Sequence, residues 1–177
     1  MSLENIFFGV KIVILALTIP SILVFILSVP FVPTPKQSIK KILDALELKD
    51  GMKVLELGCG NAQFLTLASK RAKIQAVGYE LSPVVWMLGV LRNTLHRGKN
   101  VHILFQNYLS ADISQIDVIF FYLLPARMPS ILKKILAEGG TGTRIVSYAF
   151  EIKGLESKLT FTIPRGESPS PVYFYTL

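Results

Sequence analysis

Three hydrophobic regimes follow one another along the chain. From Ile12 to Val29 no residue is charged, and the apolar run continues to Val32. As a helix that stretch would be roughly 31 Å long, close to a hydrocarbon core of about 30 Å. Pro20 falls inside it, which membrane helices tolerate with a kink. A cleaved signal peptide shares the layout of Lys11 ahead of apolar residues, but the run is long for one and no A-x-A-like site follows. The pattern predicts a single N-terminal membrane anchor over 1–32, followed by one globular domain over 33–177.

Beyond the anchor the pattern changes. Residues 30–37, PFVPTPKQ, hold three prolines and predict a stiff linker. From Gln37 to Leu48 apolar residues recur at mostly helical spacing. Short apolar runs at 53–57, 74–79, 101–105, 116–122 and 144–150 then read as strands, with helical stretches at about 62–71, 83–97 and 127–137 between them. The connection from 106 to 115 reads as irregular, with room for one helical turn. Strand–helix alternation with continuous apolar strands implies a parallel sheet covered on both faces. The last regime, 158–163 and 171–176, is two strands joined by a Pro/Gly/Ser-rich loop and predicts an antiparallel hairpin. The expected fold is thus α/β: a mostly parallel seven-stranded sheet closed by a C-terminal hairpin.

Composition and charge refine this picture. The 51% hydrophobic fraction and mean hydropathy of +0.49 are high for a globular chain because the first 32 residues carry the excess. The formal charge is +7. Lys70, Arg71, Lys73, Arg92, Arg97 and Lys99 face one acid, Glu80, within 70–99, a balance suited to an anionic membrane surface or nucleic acid, or to a solvated helix face. Lys36, Lys40, Lys41 and Lys49 follow the anchor, so the positive-inside rule puts the domain on the cytoplasmic side. Cys59 is the single cysteine and excludes an intramolecular disulfide.

The most informative local segment is VLELGCGNAQF at 54–64. A buried strand ends in an acid, Glu56, and turns toward a helix through Gly58 and Gly60, which let a ligand approach the backbone closely. A dinucleotide fingerprint requires glycine where Gln63 stands, and a P-loop requires Gly-Lys-Ser/Thr, which is absent. An acid at the tip of the first strand repels phosphates but suits a cofactor with a cationic amino-acid portion, which points to S-adenosylmethionine. Glu80 ends the next strand, 24 residues later, where a carboxylate can accept both ribose hydroxyls. Asn107, after the third strand, is placed to bond the adenine edge or to form a turn. Cys59 reads as a small residue in a crowded turn. His96 and His102 read as surface or core residues, and no cluster suggests a metal.

With these residues in hand, the chain resembles the seven-strand (class I) S-adenosylmethionine-dependent protein lysine methyltransferases. That family includes membrane-anchored enzymes acting on the ATP synthase c-subunit and the adenine nucleotide translocase, and anchorless archaeal relatives. The resemblance runs from about Phe31 to Phe150 and rests on FVPTPKQ at 31–37, LELGCGNAQF at 55–64, VGYELSP at 77–83 with Arg92 beyond, FYLLP at 121–125 and RIVSYAF at 144–150. It implies a Rossmann-like domain in which Glu56, Gly58, Glu80 and Asn107 bind the cofactor and Thr34 folds over it. Glu56, Asn61, Ala62 and Gln63 stand where the family usually has aspartate, a second acid, a glycine and an arginine. The changes at Asn61 and Gln63 are expected to weaken cofactor affinity.

The chemistry that follows is alignment, since the cofactor carries an activated methyl group. A lysine acceptor must be neutral and in line with the S–CH3 bond, which a desolvated, aromatic-walled channel favours. Tyr108, Tyr122 and Tyr148 are candidates for that wall, with Tyr122, after the fourth strand, the residue chosen as catalytic. The leading expectation is N-methylation of lysine on a membrane or membrane-proximal protein. The alternatives are methylation of a lipid or small amphiphile, and a catalytically silent cofactor-binding membrane module. Nucleic acid is not the expected partner, because YLLP replaces the N-P-P-[FY]-type tetrapeptide after strand four.

Overall fold

The computed structural model describes residues 3–27, 31–96, 98, 100–163 and 169–177, with the backbone alone at 21 and 23–27. Arg97 and Lys99 of the basic segment, residues 28–30 where the apolar run meets the linker, and most of the hairpin loop lie outside the described residues.

Helix α1 spans Leu3–Leu27 and so starts nine residues before the uncharged run. The N-terminal residues are themselves mostly apolar, and Glu4 in the first turn complements the helix dipole. The helix continues through Pro20, with Thr18 Oγ1 donating to the Ile14 carbonyl at 2.8 Å. After the proline linker, α2 (Lys36–Leu46) buries Ile39, Ile42, Leu43 and Leu46 on one face.

The domain is a single seven-stranded sheet in the order β3-β2-β1-β4-β5-β7-β6. The strands are β1 (Lys53–Leu57), β2 (Gln75–Glu80), β3 (Val101–Phe105), β4 (Val118–Phe121), β5 (Arg144–Tyr148), β6 (Leu159–Ile163) and β7 (Ser170–Thr176). The first five pair in parallel, and β7 is antiparallel to both β5 and β6. Helices α3 (Gln63–Ala68), α4 (Pro83–Leu95) and α5 (Met128–Glu138) make the crossovers. The segment 106–115 is irregular apart from a 3-10 turn at Tyr108–Ser110.

Alternation along the central strands divides the core in two. Val54, Val118, Phe120, Val146 and Tyr148 pack with α2 and α3 on one side. Leu55, Leu57, Ile119, Phe121 and Ile145 pack with Met128, Ile131 and Ile135 of α5 on the other. Strand order reverses between β1 and β4: β2 and β3 extend to one side of β1, while β4 and β5 extend to the other. In such sheets the connections diverge at that point and leave a crevice at the carboxyl ends of the strands, where ligands bind.

Candidate active site

A cavity of about 460 Å³ fills that crevice. Thr34, Glu56, Gly58, Gly60, Glu80, Asn107 and Tyr122 all line it, so the structure brings every residue singled out for cofactor binding or catalysis to one place. They arrive from several strand ends and loops. Glu56 comes from β1, the glycines from the β1–α3 turn, Glu80 from the tip of β2, Asn107 from beyond β3 and Tyr122 from beyond β4.

The turn is tightly determined. Gly58 and Gly60 have φ of +69° and +55°, and a Cβ on Gly60 would stand 2.7 Å from the Phe31 ring. Ala62, at φ +53°, holds a left-handed conformation without being glycine, so the sequence's replacement at this position stores strain. Helix α3 starts at Gln63, just past Ala62. Gln63 itself donates from Nε2 to the Thr34 carbonyl at 3.0 Å. That bond ties the proline linker to the rim of the cavity, a role the sequence did not disclose.

The two acids have different situations. Glu56 is buried, accepts from the Leu65 backbone N–H, and leaves Oε2 without any partner. Burial pushes its carboxyl well up from the usual range, with a smaller push from the Glu80 charge. A buried unsatisfied acceptor costs about 1–3 kcal/mol, so the position is poised for a cation. Glu80 instead accepts three backbone N–H groups: Gly60 on Oε2 at 2.9 Å, and Leu81 and Ser82 on Oε1 at 2.9 and 2.7 Å. Burial raises its pKa while those three bonds pull it down. With roughly four acceptor positions on a carboxylate, the turn already occupies most of what Glu80 can offer. Glu80 is therefore the brace of the glycine turn, with room for about one further donor rather than two.

Asn107 spends its Oδ1 on the Leu109 N–H as the cap of the 3-10 turn, leaving its amide group to donate. Burial raises the Cys59 thiol well above its ordinary pKa, which keeps it protonated and unreactive. His96 and His102 are exposed, and no group of His, Cys, Asp or Glu suited to a metal occurs among the described residues.

The far wall is aromatic. Tyr122 lies beside Phe150, ring centroids 6.3 Å apart at 25°, and makes an edge contact with Tyr148 at 4.8 Å. Tyr108 and Phe150 line the cavity with Tyr122, and Arg127 is the one basic side chain among the lining residues. Tyr148 does not reach it: the ring is fully buried and its hydroxyl meets Ser38 Oγ of α2 at 3.2 Å. Its place among the candidate wall residues is corrected to a core role, because the alternation along β5 turns it toward α2. The sequence did not single out Arg127 or Phe31. No local signal marks them, since Arg127 follows a loop and Phe31 reaches the turn across the linker.

A family model described as the ANTKMT methyltransferase domain matches residues 56–159. A protein-lysine N-methyltransferase of Saccharolobus islandicus is 30% identical over 152 residues, covering 84% of this chain and 94% of that protein. The ATP synthase c-subunit lysine N-methyltransferase of Xenopus laevis is 28% identical over 155 residues, covering 85% of this chain and 65% of that protein. Among solved structures, an RNA methyltransferase from Salinibacter ruber in complex with S-adenosyl-L-homocysteine aligns with a TM-score of 0.74 at 23% identity. The alignment covers 82% of this chain and 93% of that one, and shows a shared fold.

Proposed function

Since the chain belongs to the ANTKMT methyltransferase family and is thereby an S-adenosylmethionine-dependent methyltransferase, we propose that its acceptor is a lysine side chain of a protein held at a membrane. The observation that carries the cofactor's place in the cavity is the orphaned Oε2 of buried Glu56, a fixed acceptor for the amino group of the cofactor's methionine portion. The glycine turn braced by Glu80 gives the backbone a close approach, Glu80 retains one acceptor position for a ribose hydroxyl, and Asn107 can donate to the adenine edge. Thr34, held by Gln63, covers the site from the linker.

The bound cofactor supplies an activated methyl group; the chain's residues supply alignment and a neutral acceptor. Tyr122 and Phe150 give a desolvated wall against which a lysine stem can lie in line with the transferable methyl group. Desolvation and the Arg127 charge both disfavour an ammonium there, so the acceptor sheds its proton to solvent before it is enclosed. Helix α1 supports the membrane part of the reading. An 18-residue window from Leu3 to Pro20 has a mean hydropathy of 1.8 and none of it is buried in the protein. As an anchor it would leave the domain on the side favoured by Lys36, Lys40, Lys41 and Lys49, within tether range of membrane-bound lysines.

Transfer of label from methyl-tritiated cofactor into a membrane preparation tests this. Label recovered as methyl-lysine in the protein fraction is expected. Label in the lipid extract would replace lysine with a lipid acceptor, and no incorporation despite tight cofactor binding would reduce the chain to a silent binding module.

A further inference from the structure

Helix α4 contributes Val84 and Val85 to the cavity wall, touches α1, and leaves an apolar stripe uncovered. Met87, Leu88, Leu91 and Leu95 recur at helical spacing and are 47%, 48%, 55% and 70% exposed, more than solvated helices ordinarily allow such residues. Arg92 lies at the edge of this stripe in a shallow groove shared with Leu88, Leu91, Leu95 and His96, and its Nε is buried without a partner. On the other side, Thr18 and Ile22 of α1 line the cavity. Both residues belong to the apolar helix α1, which therefore borders the cavity as well as α4.

We propose that the exposed face of α4 is a second membrane contact, lying in the headgroup region beside α1 with Leu88, Leu91 and Leu95 in the acyl boundary and Arg92 on an anionic lipid headgroup. This rests on reading α1 as an anchor, and it adds a second apolar surface to that anchor's hold on the bilayer. The occupant is lipid because α4 touches α1, whose apolar Leu3–Pro20 window is unburied, and because the cation at the edge of the stripe complements an anionic surface.

The test uses the full chain in vesicles containing anionic lipid, with an environment-sensitive fluorophore on Leu91→Cys and, as a control, on Lys133→Cys, an exposed position on α5 across the sheet. Cys59 is buried and stays unlabelled. Lipids brominated in their acyl chains are expected to quench the label at 91 and spare the label at 133, and Arg92→Gln is expected to weaken the preference for anionic lipid severalfold. Flotation after alkaline carbonate extraction reports on α1 separately. A protein that floats with both labels unquenched keeps its anchor and overturns the α4 contact. One that washes off with 91 still quenched overturns the anchor alone, and one that washes off unquenched overturns both. Disulfide pairing between two Leu91→Cys copies in lipid-diluted vesicles would assign the face to a second copy and also overturn the proposal.

Discussion

The wall of the crevice built by β1, β2 and the turn into α3 differs from the wall opposite, after β4 and β5, in what fixes its side chains. On the first wall the fixing is polar and local. Glu80 is clamped by three backbone N–H groups, the glycine turn by left-handed dihedrals, and Glu56 by one backbone donor within a buried site. On the second wall it is apolar and long-range: Tyr122 is set by ring contacts to Phe150 and Tyr148, and Tyr148 in turn by Ser38 of α2. A rigid polar wall suits a constant ligand, and a wall of packed rings can change its acceptor through a few substitutions. Under the proposed function, cofactor binding falls to the first side and acceptor choice to the second.

Substitutions on each side should therefore separate. Glu80→Ala strips the acceptor from three backbone donors, and the free energy of unfolding is expected to fall by about 3 kcal/mol in urea titration. A loss confined to cofactor binding would contradict its bracing role. Tyr122→Ala should lower kcat/KM about 100-fold by misplacing the acceptor while leaving cofactor affinity unchanged; Tyr122→Phe should retain most activity. If the alanine variant weakens cofactor binding equally, the two walls are not separate in function. Ala62→Gly should raise stability by about 1 kcal/mol by relieving the left-handed strain, net of the entropy glycine adds to the unfolded chain. Gln63→Ala, which frees Thr34, has the smallest expected effect, about 0.5 kcal/mol in cofactor affinity by calorimetry.

The polar wall was legible in the sequence because its determinants are contiguous. An acid, two glycines and a second acid at the next strand end specify a turn and its charge without knowledge of distant residues. The strands were legible for the same reason, since each concentrates its apolar residues within a short contiguous segment. The aromatic wall was legible only in part. Tyr122 was identified from its place after a strand, but Tyr148, two residues before Phe150, looked equivalent until β5 turned it into the core against a residue far away in sequence. Arg127 and Phe31 carry no local mark at all. Gln63 read as the loss of a basic residue, whereas its bond to the Thr34 carbonyl makes it a tie. Helix α1 begins ahead of the charge-free run: Lys11 precedes that run without stopping the helix, whose first residues are apolar enough to carry it.

Glu56 tests the account most directly, because it predicts opposite signs for two readouts of one variant. Burial makes Glu56 harder to ionise in the folded chain than in the unfolded one. Its destabilising effect is absent below the unfolded carboxylate's range and grows as pH rises through the raised native value. At neutral pH Glu56→Gln should raise the melting temperature of the ligand-free protein, while calorimetric titration shows S-adenosylmethionine binding weakened by about 2 kcal/mol, some thirtyfold. A Glu56→Gln protein that binds the cofactor as tightly as the parent would contradict the claim that this buried carboxylate holds the cofactor's cationic end.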